Sequence, residues 1–562
     1  MNEFHQSPPM LSNQYRDDAL LRSYLAHAAP PEVLAEVDAE LDALGERAAG
    51  EWAALAERAE SEPPRLVHYD AWGSRVDRIE TSDAWRAFER IAAAEGLVAR
   101  GYERAYGAFS RIDQFARLYL FAPSSATYSC PLAMSDGAAR CLELLASDER
   151  QRAAFAHLTS RDPDRFWTAG QWMTERTGGS DVSGTSTIAT RDGDAFRLFG
   201  TKWFTSATTS QMALTLARPE GAESGSRGLS LFYLELRDDA GLPRRMRVLR
   251  LKDKLGTRAL PTAEIALEGT PAWLVGGEGH GVRKIATVLT ITRIYNALAA
   301  VAGMRRAVAL ARDYARRRIA FGRPLGEHPL HVETLAAMQV ELAGCVLLVF
   351  HVIELLGLTE WGAATAADAA LLRLLTPVAK LYTAKRAVSV ASEAIEAFGG
   401  AGYIEDTGLP RLVRDAQVLP IWEGTTNVLS LDVWRALLAE PDTLEILAAR
   451  VEAHLARAAS GELSEPATRL RAAVRELLES AARLAHASDD DRESVARNFA
   501  FGIAQVMAGA LLIEHADRCR AIPIGARLAD AGRRWAARVL VPSLESGQAH
   551  RDASRRLGLD ID

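Results

Sequence analysis

The 562-residue chain predicts an α+β multidomain protein: a helical N-terminal domain, a central β-barrel or sheet domain, and a C-terminal four-helix bundle extended by a helical tail domain. Three observations predict it. The length exceeds what one hydrophobic core serves, so several domains are expected. The hydrophobic period switches twice, from helical spacing to strand alternation near residue 167 and back to helical spacing for good near residue 282. From 282 onward, long runs carry apolar stripes, such as Ile285, Val288, Leu289, Ile291, Val301, Met304, Val308 and Leu310, as antiparallel bundle helices do. The expected domains are 1–166, 167–281, 282–440 and 441–562.

Taken in order, the stretch from Met1 to about Pro31 is polar and Pro-bounded and reads as a docking arm or ordered tail. Val33, Leu34, Val37, Leu41 and Leu44 predict a helix over 32–59, and P-P-R-L-V-H-Y-D-A-W-G-S-R-V-D-R-I predicts a hairpin turning at Gly73-Ser74. Helices over 82–106, 113–121 and 136–145 complete the first domain; the small residues of S-S-A-T-Y-S-C-P-L-A-M suit a helix start or a pocket wall. The β-domain covers 167–274, with a turn at Asp192-Gly193 and later strands over 228–236 and 262–267. Helices follow over 282–318, 331–358, 363–398 and 427–438, then an Arg-rich tail broken at Gly461, near Ser488–Asp491 and near Pro523.

A net charge of −7 gives no reason to expect a polyanion partner. Cys130, Cys141, Cys345 and Cys519 are scattered without a C-x-x-C pair, so neither a zinc site nor a disulfide framework is expected. No uninterrupted apolar run reaches the roughly 20 residues that span a bilayer, so no membrane partner is expected. The opening M-N-E-F-H-Q-S-P-P-M lacks a basic region followed by an apolar core, which makes a cytoplasmic location the default expectation.

The chemistry concentrates between Trp172 and Ser206, in M-T-E-R-T-G-G-S-D and G-T-K-W-F-T-S. Gly178 and Gly179, lacking Cβ atoms, allow close backbone approach to a ligand. Thr174, Ser180 and Ser206 add hydroxyls. The combination reads as a β-platform offering amides and hydroxyls to a flat, phosphate-bearing cofactor; an ordinary surface hairpin with glycine turns is the other reading.

This stretch resembles the flavin-binding β-domain of acyl-CoA dehydrogenases, with its T-E-x-x-x-G-S-D run followed by G-x-K-x-W/F-I-T/S. The resemblance implies FAD held by Met173, Thr174, Gly179, Ser180, Phe204 and Ser206: Thr174 at the pyrimidine end, Ser180 at the pyrophosphate, Phe204 against the ring and Ser206 at flavin N5. The family more often has Trp and Thr at the last two places. R-R-R-I-A-F-G-R-P-L resembles the family's R-x-x-F-G sequence, implying that Arg318 and Phe321 reach the FAD of a neighbouring subunit. F-G-G-A-G-Y resembles the turn that receives it, through Phe398, Gly399 and Gly400, although Glu396 stands where Gln is usual.

I-W-E-G-T-T-N-V resembles the I-Y-E-G-T signature, which implies Glu423 as the catalytic base, Gly424 as the sharp turn, and Thr425 and Asn427 as cofactor contacts. Removing a proton α to a thioester carbonyl needs a general base tuned toward the working pH, and a flavin overhead would desolvate such a carboxyl and raise its pKa. A second branch of the family carries its base just before an Arg on the first bundle helix. Here that position is Thr292, ahead of Arg293, and threonine cannot serve. Ser180, Thr292, Arg293, Glu423 and Gly424 are the expected substrate contacts. Singly, each motif has a plainer reading: W-E-G as a helix boundary, R-x-x-F-G as a helix C-cap ended by Gly322 and Pro324, and Arg293 as a bundle pin. Four matches in the family's order between Thr174 and Leu429 are far more specific than any one.

L-K-D-K-L-G-T-R, the T-G-G-S-D spelling, Ser206, I-W-E-G-T, the early P-P-R-L-V-H-Y-D and the long tail are similar to the AidB-like branch. That branch implies a homotetrameric FAD protein with weak acyl-CoA dehydrogenase activity, whose founding member is tied to the alkylation response and binds DNA. The expected partners are an acyl-CoA or other acyl thioester, with an electron-transfer flavoprotein or oxygen as acceptor. The alternatives are a flavoprotein with a binding or DNA-protective stress role and, more narrowly, an oxygenase. From 440 to 562 the tail has 17 Arg, no Lys and 19 acidic residues, net −2. Nucleic-acid affinity rests on neutralised phosphates. The balance therefore favours a solvated or intersubunit face over a DNA-binding stripe, despite Arg533, Arg534, Arg538, Arg551, Arg555 and Arg556 at helical spacings.

Overall fold

The computed structural model describes residues 6–238, 241–457, 461–539 and 546–559. The first five residues of the N-terminal arm and the ends of the tail reading thus lie outside the described residues. The chain packs as two compact units: 44–105 with 113–295, and 1–43 with 106–112 and 296–562.

The first unit is built on strands. β1 (Arg65–Tyr69) and β2 (Arg75–Glu80) form the expected hairpin, with Gly73 at φ +84 in its turn. β3 (Ala169–Trp172), β4 (Ile188–Asp192), β5 (Ala195–Ser206), β6 (Met212–Pro219), β7 (Ser230–Glu235), β8 (Met246–Leu251) and β9 (Thr262–Leu274) make a seven-stranded sheet. Pairing runs β6–β4–β5–β9–β7 and returns from β7 to β6, which closes a ring; β3 joins β6 in parallel and β8 joins β9. Closure leaves those five strands no free edge. Alternate side chains turn inward: Ala189, Phe196, Leu198, Ala213, Phe232, Val248 and Ile265 form one core. The outer face of β6 and β7 (Leu214, Leu216, Leu231, Tyr233) packs with Ile285 and Val288. Among the helices, Asp83–Ala94 is capped by Ser82, and Ser129–Leu145 starts earlier than its pattern predicts. The run expected as one helix over 32–59 is broken at Gly50 into Pro31–Ala49 and Glu51–Ser61.

The second unit is helical. The four bundle helices are Gly281–Arg317 (which begins in the first unit's segment), Pro329–Trp361, Ala366–Glu396 and Thr426–Ala439. Thr365 and Asp368 cap the third with a reciprocal capping box. Pro329–Trp361 is buried almost continuously from Met338 to Gly357, because the tail helices Asp489–Arg518 and Ile524–Arg538 pack on it too. Trp535 locks this contact. A Cβ on Gly344 would come 2.4 Å from its ring and one on Gly509 2.9 Å, so two glycines form the slot that the indole fills.

Counting uninterrupted apolar runs misses one property of these helices. Gly281–Arg317, Pro329–Trp361 and Asp489–Arg518 are each long and apolar enough to cross a membrane by length and composition, but 67%, 83% and 83% of the apolar window is buried within the protein. Scattered charged residues interrupt the runs without lowering their mean hydropathy enough. In the tail, Arg533 pairs with Glu462 and Asp530, Arg534 with Glu333, Arg538 with Glu341, Arg551 with Asp491 and Arg555 with Asp552.

Candidate active site

In the barrel unit, β3 runs into the Thr174–Asp181 loop, and a buried ion pair fixes that loop. Glu175 accepts from Lys202 Nζ (2.8 Å), from Ser186 through its amide (2.7 Å) and hydroxyl (2.6 Å), and from both groups of Thr187. Lys202 also donates to the Leu216 carbonyl at 2.9 Å. The two side chains are 2% and 0% exposed. Burial alone would raise the Glu175 carboxyl, but the Lys202 charge and the converging hydrogen bonds hold it down at about 2. Burial also lowers the Lys202 ammonium, against the opposing pull of Glu175.

Beside this clamp, the Trp203 amide donates to the Thr174 carbonyl at 2.9 Å, tying the loop to β5. A Cβ on Gly179 would lie 2.5 Å from Thr174 Oγ1, so glycine is required there. Gly178 sits at φ +129 with open space around it, and Ser180 is exposed. Met173 is half-buried against the β6–β7 outer core. The β5–β9 register slips between Lys202 and Thr205, a bulge that places Trp203 and Phe204 opposite a shortened partner strand. Phe204 is 53% exposed, with Lys252 Nζ 4.5 Å from its ring centroid. Ser206 Oγ lies 3.1 Å from Thr262 Oγ1, which receives a 3.1 Å hydrogen bond from Lys254.

Thr292 is buried, its hydroxyl donating to the Leu289 carbonyl at 3.3 Å; Arg293 is half-buried. Their turn of helix is anchored by Asp136, which accepts from Tyr102 (2.7 Å), Gln114 (2.8 Å) and Tyr295 (2.9 Å).

In the helical unit, Glu423 has φ +57 and Gly424 φ +102. A left-handed glutamate is uncommon and is held by its surroundings. Trp422 Nε1 donates to Asn296 Oδ1, whose amide donates to the Leu419 carbonyl at 3.2 Å. Lys380 donates to the Gly424 carbonyl at 2.6 Å. Thr425 caps the helix Thr426–Ala439, accepting from the Val428 amide, and Asn427 is exposed in its first turn.

R-I-A-F-G-R-P is not a helix C-cap. The helix ends at Arg317, and β10 (Ile319–Ala320) pairs with β11 (Arg323–Pro324) across a two-residue turn with φ +50 at Phe321 and +82 at Gly322. Positive φ at both positions marks a type I′ hairpin. Phe321, at its tip, is 96% exposed. The Arg318 amide donates to the Tyr314 carbonyl, and the Tyr314 ring packs on Phe398 at 4.9 Å. Phe398 is therefore core, and any ligand contact there falls to its backbone; Gly399 and Gly400 have open space at their Cβ positions.

The residues that fix these local arrangements are Glu175, Lys202 and Lys252 in the barrel unit and Asn296 and Lys380 in the helical unit. The first three stand inside the quoted motifs as spelling without a role; Asn296 and Lys380 carry no local signal. The bare Gly178–Ser180 loop, the exposed Phe204 and the Ser206 hydroxyl fit a flavin dinucleotide.

Comparison with known proteins is consistent with this arrangement. The chain matches the AidB N-terminal domain over 5–165, the acyl-CoA dehydrogenase middle domain over 170–270, the acyl-CoA dehydrogenase C-terminal domain over 279–438 and the acyl-CoA dehydrogenase 11 C-terminal domain-like family over 442–560. It is 46% identical to acyl-CoA dehydrogenase family member 11 of Caenorhabditis elegans, over 92% of this chain and 86% of that protein. It is 35% identical to the putative acyl-CoA dehydrogenase AidB of Escherichia coli, over 68% and 71%. The crystal structure of Caenorhabditis elegans ACDH-11 in complex with C11-CoA superposes with a TM-score of 0.95 at 42% identity, covering 100% of this chain and 97% of that one. The chain belongs to the acyl-CoA dehydrogenase family, in its AidB-like branch, and is an FAD-dependent oxidoreductase of that family.

Proposed function

We propose that this protein dehydrogenates an acyl-CoA at its α,β bond, with Glu423 removing the α proton. The observation that carries the reading is the construction around Glu423: a strained left-handed carboxylate residue held from one side by Trp422–Asn296 and from the other by Lys380–Gly424. At the family's alternative base position stands a buried, back-bonded threonine. Bound FAD supplies the acceptor for the β hydride. Lys254 can only donate to Thr262, which frees the Thr262 hydroxyl hydrogen for Ser206; the Ser206 hydroxyl is then free to donate toward the flavin edge. Thr174, Gly179, Ser180 and Phe204 would hold the cofactor, and Arg293 would orient the substrate. The Glu423 amide meets the charge that develops on the thioester oxygen.

The C11-CoA complex of the nematode relative supports an acyl-CoA substrate. An electron-transfer flavoprotein or oxygen would reoxidise the flavin. The solvent-facing Phe321 hairpin, beside Arg318, supports a homotetramer in which these residues reach a neighbouring subunit's FAD. The test is anaerobic mixing of the FAD-loaded protein with a panel of acyl-CoAs. Flavin absorbance should bleach, and Glu423→Gln should slow bleaching by about 10²- to 10⁴-fold. An unbleached flavin across the whole panel removes the proposal.

A further inference from the structure

We propose that His27, His515 and Cys519 bind a divalent transition-metal ion of the zinc class, clamping the N-terminal helix Ala19–Ala28 to the tail helix Asp489–Arg518. One ligand atom from each lies within 4.8 Å of the others. His515 Nε2 and Cys519 Sγ are 3.6 Å apart, close to the donor separation of about 3.5 Å that zinc–nitrogen and zinc–sulfur bonds impose in a tetrahedron. His27 Nδ1 is 2.7 Å from the Ser23 carbonyl. A carbonyl only accepts, so Nδ1 carries a hydrogen, which leaves Nε2 as the nitrogen of the neutral ring that can take an ion, the arrangement that a hydrogen-bonded outer partner gives to metal-bound histidines.

His515 Nε2 also lies 2.8 Å from Ser23 Oγ, a contact that an arriving ion would replace. The helix ends converge as a cation requires. His27 lies in the last turn of its helix, His515 in the last turn of the other, and Cys519 is that helix's C-cap. Helix C-termini carry partial negative charge. Arg518 opposes a cation, but its guanidinium is occupied by Glu514 at 2.7 Å. On binding, the Cys519 proton leaves to solvent and the thiolate takes its place on the ion. His27 is exposed, which gives the ion a route in and leaves a fourth coordination position for water. Two imidazoles and a thiolate select zinc or cobalt over magnesium or calcium. Spacing rules could not reveal the site, because its halves stand at opposite ends of the chain.

The test uses the full-length FAD-loaded protein, stripped with a chelator and titrated with Co²⁺. About one ion per chain should bind, with ligand-field absorption in the red, beyond the flavin bands, and displacement by Zn²⁺. Cys519→Ser should remove the thiolate charge-transfer band. His27→Ala, at an exposed position, should weaken binding at least tenfold, leaving flavin content and acyl-CoA bleaching unchanged. No stoichiometric uptake by the wild-type protein, or wild-type affinity in either variant, overturns the proposal. Should Cys519→Ser fail to fold, His27→Ala decides.

Discussion

Replacing Lys202 with methionine removes the ammonium that holds the Thr174–Asp181 loop against the barrel. Breaking a buried ion pair costs about 3–5 kcal/mol, because the surviving charge is stranded. The structure ranks the two halves. Without Lys202, Glu175 keeps the amides and hydroxyls of Ser186 and Thr187, so Lys202→Met belongs near about 3 kcal/mol. In Glu175→Gln the ammonium keeps the Leu216 carbonyl but loses its counter-charge, placing that variant near about 5 kcal/mol. The double variant should cost less than the sum, since the partners couple.

The pair also predicts a pH dependence. Glu175 has a folded pKa of about 2 against an ordinary 4.5, so its contribution is complete above 4.5 and fades as pH falls toward 2. That contribution is about 3 kcal/mol. Urea unfolding followed by tryptophan fluorescence would report it, with Trp172 and Trp203 flanking the loop. Lys202→Met should shed FAD on gel filtration and lose much of the decline between pH 4.5 and 2. A cost under about 1 kcal/mol, or Lys202→Met costing more than Glu175→Gln, refutes the reasoning.

Gly179→Ala drives a methyl group to 2.5 Å from Thr174 Oγ1 and should lower FAD affinity while leaving the fold intact, measured by flavin fluorescence on titration. Lys380→Met releases the Gly424 carbonyl, and with it the placement of Glu423; kcat should fall about tenfold or more with FAD content unchanged, read by stopped-flow bleaching. Trp535→Ala empties the two-glycine slot and should cost about 3–5 kcal/mol in chemical denaturation.

The domain order was legible because hydrophobic period changes at the β-domain's two ends, and each period belongs to one kind of element. The motifs that single out Thr174, Gly179 and Ser180 in the barrel unit and Glu423 in the helical unit were readable because each is one contiguous word. Asn296 and Lys380 were not, since neither lies near Glu423 in sequence and their side chains meet its turn only after folding. The hairpin at Phe321 escaped for another reason: a helix end followed by Gly and Pro permits a C-cap as readily as a type I′ turn, and tertiary context chooses. The break at Gly50 shows the same limit, as apolar spacing on both sides continues through it.

The indole of Trp535 has a consequence for how this protein can be cut. Glycine in a helix interior costs about 1 kcal/mol relative to alanine, and Gly344 is tolerated because an aromatic plug from nearly two hundred residues downstream occupies the gap. A shortened version ending near residue 440 would therefore bare a notched, greasy helix flank and should precipitate. The appended segment is a structural lid for the bundle, and its loss would be felt as insolubility before any change in chemistry.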